Sequence, residues 1–129
     1  MLELVVRGGR IVDATGERVA DVRVHDGMVV EVGEGLRGAR MLDAGGCVVA
    51  PGLVDLHVHL REPGDEEAET IETGSRAAAL GGFTAVVAMP NTSPPLDDAN
   101  VVRAVLAAGE RASCDIASSG CITVARAGV

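Results

Sequence analysis

From Leu53 to Leu60 the chain alternates: Val54, Leu56, Val58 and Leu60 are apolar, while Asp55, His57 and His59 are polar, and Arg61 continues the polar set. A period of two is the pattern of a strand, whose successive side chains point to opposite faces. The pattern predicts a strand over 53–60, opened by the turn signal Pro51-Gly52 and closed by a loop at Arg61-Glu62-Pro63-Gly64. Glu66 to Leu80 reads as a helix, with Glu66, Glu67 and Glu69 in its first turn and Gly81-Gly82 as its stop. Phe83 to Met89 is a second apolar strand, ended by Pro90. Asp97 or Asp98 caps a second helix through Val101, Val102, Val105 and Leu106 to about Arg111, and Cys114 to Ala117 begins a third strand. The strand starts are about thirty residues apart, the length of a βαβ unit. Crossovers of that length imply parallel strands.

Before Pro51 the pattern is different. Short apolar runs at Leu2–Val6, Arg10–Ala14, Val19–His25 and Met28–Gly33 are separated by glycines, and Asp26-Gly27 is a tight-hairpin signal. This is a small β unit, barely large enough alone to close a core. The chain therefore divides into residues 1–50 and 51–129.

Both faces of a parallel sheet are normally covered, and its strands read as continuous apolar runs. The polar face Asp55, His57, His59, Arg61 departs from that. The interior of a (β/α) barrel opening into a site accounts for it, because such sites lie at the C-terminal ends of the strands. The expected class is α/β: a (β/α)₈ barrel of which only the first strands are present. A closed barrel takes about 250 residues, whereas this sequence holds two βα units and the start of a third. Its last residues, ITVARAGV, break off in mid-pattern. The chain is expected to be the N-terminal piece of a longer protein.

Composition narrows the chemistry. A net charge of -8 argues against a general nucleic-acid binder. All eleven basic residues are arginine, so no lysine of this segment serves as base, Schiff-base former or metal ligand. Aromatic residues amount to one Phe, leaving little surface for stacking bases or gripping sugars. No apolar run is long enough for a membrane span, and the start MLELVVRGGR carries no signal-peptide pattern. Cys47, Cys114 and Cys121 are widely spaced without a CxxC, as expected of reduced thiols in a cytoplasmic protein.

His57 and His59 at i and i+2 of a strand are a candidate pair of metal ligands, since divalent transition metals accept neutral imidazoles. The alternative is two structural histidines in a polar corner. Asp55 either orients a ligand imidazole from behind or is a buried acid bonded to backbone. Arg61 offers a planar fork for a carboxylate; otherwise it is a surface arginine paired with Glu62 or another acid. Asn91, at the end of the second strand, is placed to donate to a carboxylate while accepting from a ring N–H, or else simply forms a turn. The acids Asp65, Glu66, Glu67 and Glu69 resemble a cation site but fit a solvated helix N-terminus. No GxGxxG or P-loop pattern occurs. His25 reads as an exposed hairpin residue.

GCVVAPGLVDLHVHLREPG followed by GSRAAALGGFTAVVAMPNTSPPLDD resembles the amidohydrolase superfamily, and within it the class I bacterial dihydroorotases. The HxH strand indicates only the superfamily, while HLREPG with MPNT and a following proline is more specific. Allantoinases share the HxH and an EPG but usually differ in the second-strand motif. Hydantoinases and dihydropyrimidinases usually lack an arginine at the position of Arg61.

The resemblance implies a metal-dependent (β/α)₈ barrel preceded by part of a small β-sandwich, completed by the distant C-terminal end. By similarity, His57 and His59 bind the more buried of two Zn²⁺ ions, and Arg61 and Asn91, beside His59, bind the substrate carboxylate. The implied reaction is reversible cyclisation of N-carbamoyl-L-aspartate to dihydroorotate in pyrimidine biosynthesis. An aspartate beyond Val129 would be the proton shuttle, and the remaining ligands would also lie there. The segment alone is expected to be inactive. The complete protein is expected to be a homo-oligomer, with aspartate transcarbamoylase as a possible partner. Other outcomes are an allantoinase- or hydantoinase-type hydrolase, or a non-catalytic homologue scaffolding aspartate transcarbamoylase.

Overall fold

The computed structural model describes residues 3–128, which divide into two compact units, Met1–Pro51 and Gly52–Val129. Leu2, the first residue of the expected opening strand, lies outside the described residues.

The first unit is a five-stranded sheet of β1 (Glu3–Asp13), β2 (Gly16–His25), β3 (Met28–Gly33), β4 (Arg40–Asp43) and β5 (Val48–Val49). The order is β3-β2-β1-β4, and β5 pairs further along β1. β1–β2 and β2–β3 are antiparallel, while β4 and β5 run parallel to β1. The Asp26-Gly27 turn carries positive φ at both residues, 46° and 80°, as a tight primed hairpin requires.

Two features correct the sequence reading. The two runs expected as separate strands, the first ending at Val6 and the second starting at Arg10, fall in one strand, Glu3–Asp13. Between Val6 and Gly9 the register slips by one residue, with Gly8 at φ 69°. The glycines thus form a β-bulge instead of ending the strand. Asp21 on the facing strand holds it: Gly8 N donates to Asp21 Oδ1 at 2.8 Å and Leu36 N to Oδ2 at 2.9 Å. Strands β4 and β5 are too short for a periodic signal. The core is Ile11, Ala20 and Val22 with Val6, Val24 and Val49 against it. The unit is a single sheet, one layer where a sandwich has two.

The second unit runs β6 (Leu53–Val58), α1 (Ile71–Leu80), β7 (Phe83–Ala88), α2 (Ala99–Gly109), β8 (Asp115–Ser118) and one 3₁₀ turn at Val124–Arg126. The sheet order is β6-β7-β8, all parallel. The unit is thus α/β, and three strands leave the sheet open. Leu60, Ile71, Val86, Ala88, Leu96 and Val105 form its core, with Val58, Phe83 and Ile116 packed against them. Complete burial of a side chain such as Ile71, 1% exposed, contributes roughly 1.5–3 kcal/mol.

α1 begins five residues later than expected. Thr70 Oγ1 accepts from Thr73 N at 3.1 Å and Thr73 Oγ1 from Thr70 N at 2.9 Å, a reciprocal capping box. Glu62 Oε2 takes a further free N–H, that of Ile71, at 2.8 Å. Glu66, Glu67 and Glu69 therefore precede the helix. Glu66 Oε1 accepts from Gly64 N at 2.8 Å, and these backbone bonds hold its carboxyl below the usual range. α2 starts where one of the two expected caps placed it: Asp98 accepts from Asn100 N at 2.7 Å.

The strict alternation read along β6 is interrupted. Asp55 pairs with Val86 and Val58 with Ala88, so three residues on β6 face two on β7. A bulge at Leu56-His57 re-aims the residues beyond it, and the shared face does not run unbroken from Asp55 to Arg61. Val54 and Leu56, expected on an apolar face, are 55% and 71% exposed. Among the described residues no helix is long and apolar enough to cross a membrane.

Candidate functional site

His57 and His59 lie at the C-terminal end of β6 and just beyond it, where Met89 N donates to Val58 O at 2.8 Å and ties that end to β7. The imidazole centroids are 5.2 Å apart at an interplanar angle of 62°. The two rings are neighbours and both residues are exposed. Asp55 Oδ1 accepts from the backbone N–H of His57 at 2.9 Å. That bond fixes the bulged backbone beneath the pair and reaches no ring.

Asn91 arrives from the loop after β7. Its Oδ1 lies 2.9 Å from His59 Nδ1. An amide oxygen only accepts, so this contact requires the proton on Nδ1 and leaves the Nε2 lone pair of His59 for another partner. The amide nitrogen of Asn91 remains a donor. Asn91 and Arg61 both line a cavity of about 160 Å³, together with Gly64, Ser93 and Arg126. A larger hollow of about 560 Å³ by Glu62, Ile71 and Arg111 contains neither histidine. The smaller one adjoins the residues able to do chemistry.

The loops around the small cavity are locked together. Ser93 N donates to Pro63 O at 3.0 Å. Gly64 sits at φ 103°, and a β-carbon there would run into the carbonyl of Ser93. Only glycine permits so close a passage. Arg61 has no ion pair with Glu62 among the described residues; Glu62 is engaged by Ile71 N instead.

Sequence reading missed Arg126. It lies in the loop after β8, the third strand, and lines the same cavity as Arg61 and Asn91. The strand-end rule that selected Arg61 and Asn91 points to that loop as well. Its shape was hidden, because Ala125 and Arg126 both take positive φ, 52° and 60°.

Among the described residues no group of three or more His, Cys, Asp or Glu is placed to hold a metal ion. A catalytic zinc usually takes three protein ligands, so the adjacent imidazoles fit part of such a set. The three cysteines are free, Cys47 exposed and the others half-buried. Burial and neighbouring Asp115 push the Cys114 thiol pKa up.

Residues 46–128 match the family model described as Dihydro-orotase-like. The chain is 45% identical over 133 residues to a dihydroorotase of Pelobacter propionicus, covering 98% of this chain and 31% of that one. It is 55% identical over 109 residues to a dihydroorotase of Anaeromyxobacter dehalogenans, covering 81% and 25%. Among solved structures it is similar to the L-hydantoinase (dihydropyrimidinase) from Arthrobacter aurescens, with a TM-score of 0.81 and 34% identity over 93% of this chain and 28% of that one. The chain spans 31% of the length of the first of these relatives. The motifs, the parallel βα units and a family match over most of the sequence agree: the chain belongs to the dihydroorotase-like family.

Proposed function

We propose that this chain is the metal- and substrate-binding beginning of a zinc-dependent cyclic-amide hydrolase. The substrate pair is dihydroorotate and N-carbamoyl-L-aspartate, which places the enzyme in pyrimidine biosynthesis. β6, β7 and β8 are the first strands of a (β/α)₈ barrel. His57 and His59 supply two ligands of a zinc site, with two ions in the complete site. The observation that carries the reading is the His59–Asn91 contact at 2.9 Å. It joins the imidazole pair to the cavity lined by Arg61 and Asn91, so a metal and an anion would be held side by side.

Hydrolysis breaks the ring C–N bond; the carbonyl carbon gains the hydroxyl of water and the nitrogen its proton. Bound zinc supplies Lewis acidity toward the amide carbonyl and lowers the pKa of a water. The residues of this chain do the positioning. Asn91 keeps the proton of His59 on Nδ1, which turns Nε2 toward ligand duty. Its amide nitrogen and the Arg61 guanidinium donate to the substrate carboxylate. Asp55 stiffens the backbone under His57. The carboxylate that accepts and returns the proton lies outside the described residues.

The hydantoinase likeness favours a second reading, in which the ring carries no carboxylate. Arg61 separates the two. With the product of the whole reading frame, turnover of dihydroorotate with no turnover of hydantoin or allantoin is expected. His57→Ala should lower bound zinc, measured by atomic emission, and reduce activity by at least about 100-fold. Turnover of allantoin or hydantoin alone would reject the assignment.

A further inference from the structure

We propose that Glu62 is a positioning residue: it ties the loop after β6 to the start of α1, and that bond keeps its own carboxylate away from the guanidinium of Arg61. This role rests on the reading of Arg61 as an anion holder, and Glu62 itself meets neither substrate nor metal.

Arg61 and Glu62 are neighbours of opposite charge, yet they line different cavities. Arg61 borders the cavity of about 160 Å³ with Asn91, while Glu62 borders the hollow of about 560 Å³ with Ile71 and Arg111. A carboxylate beside a guanidinium gains most by pairing with it. Glu62 Oε2 accepts instead from Ile71 N at 2.8 Å. The start of α1 rewards that choice. Its first N–H groups have no partner within the helix, and its dipole favours a negative group there. The capping box takes the N–H of Thr73, and Glu62 takes that of Ile71.

The same bond helps to fix Arg61. Leu60, just before it, is 3% exposed. A β-carbon at Gly74 of α1 would run into the Leu60 side chain, so the helix packs directly on it. Glu62, just after Arg61, is held by Ile71. Between them Arg61 O accepts from Asp65 N at 3.0 Å. α1 therefore grips the residues on both sides of Arg61, while the Arg61 side chain stays exposed at its cavity. Were Glu62 released, its carboxylate would compete for the guanidinium as part of the same chain, at an effective concentration that dissolved substrate seldom matches.

The test uses the zinc-loaded product of the whole reading frame, with dihydroorotate as substrate and melting temperatures measured alongside. Glu62→Gln keeps an oxygen acceptor at the same reach, so KM should stay within about twofold of the parent. Glu62→Ala loses the tether and the charge together, and KM should rise about threefold. Glu62→Asp keeps the charge on a side chain one methylene too short for Ile71 N, and KM should rise about tenfold, with kcat within about twofold. Thr73→Ala loosens the start of α1 without freeing an acid. It should lower the melting temperature and leave KM within about twofold. A merely structural role for Glu62 would make KM follow the melting temperature across the four variants, and that outcome would overturn the proposal. So would a KM in Glu62→Asp no higher than in Glu62→Ala. No turnover of dihydroorotate by the parent would overturn this role together with the hydrolase assignment beneath it.

Discussion

In the Met1–Pro51 unit, several polar side chains bond to the fold itself. Buried Asp21 takes the N–H groups of Gly8 and Leu36. Arg10 pairs with Glu17, Arg18 with Asp13 and Arg23 with Glu31, each within 3.0 Å. In the Gly52–Val129 unit, the polar groups at the strand ends stay open. His57, His59, Arg61, Asn91 and Arg126 are all exposed. Their one mutual bond is the His59–Asn91 contact. A buried polar group must be bonded or it destabilises the fold. An exposed group that bonds to nothing is under no such demand, so a cluster of such groups points to a ligand.

The largest effect sets one residue from each unit against the other. Asp21→Ala strands the N–H donors of two half-buried residues, Gly8 and Leu36, and should destabilise by about 1–3 kcal/mol. Asn91→Ala, at an exposed loop position, should stay within about 0.5 kcal/mol of the parent. Urea unfolding gives both numbers, and amide exchange at Gly8 and Leu36 localises the first. Equal costs at the two positions would mean that Asn91 is structural, and the contrast between the units would fail.

A comparable effect is expected where structure and site meet. Gly64→Ala drives a methyl group toward the Ser93 carbonyl at a backbone angle that alanine resists. The cost should be about 1–3 kcal/mol, with faster exchange of the Ser93 amide, which now donates to Pro63 O. Unchanged stability and exchange would show that the two loops are not locked at this point.

Legibility in the sequence divides along the same line. The Asp26-Gly27 hairpin, the parallel βα repeat and the Asp98 cap were readable because each rests on local chemistry. The His57–His59 pair and Asn91 were readable because strand ends in such a repeat deliver side chains to one mouth. The features that escaped depend on non-local partners. Gly8 looks like a strand breaker until Asp21 is placed opposite it. The first turn of α1 looked acidic until Thr70 and Thr73 closed on each other and Glu66 turned back to Gly64. Arg126 could not be found by periodicity, since its placement depends on Asp97 reaching Ala125 across the two loops.

The smallest effect is a pH dependence that separates the units by their acids. The Arg18 guanidinium, then the hydroxyl and backbone N–H of Thr15, hold the Asp13 carboxyl far below the usual carboxylate range. A depressed folded-state pKa adds stability that is fully present above the unfolded value, about 3.9, and is lost as pH falls toward the folded value. Asp13 and Arg18 sit on an exposed rim of the sheet, so salt screens the effect. Urea midpoints taken from about pH 5 down to about pH 2.5 should therefore fall less steeply for Arg18→Gln than for the parent, and the difference should shrink in high salt. Acid sensitivity that persists in Arg18→Gln is expected partly from Glu66 of the other unit, whose pKa is lowered by backbone N–H groups. Parallel curves for parent and variant would show that Asp13 draws nothing from Arg18, and that even in the first unit an ion pair at the sheet rim does not serve the fold.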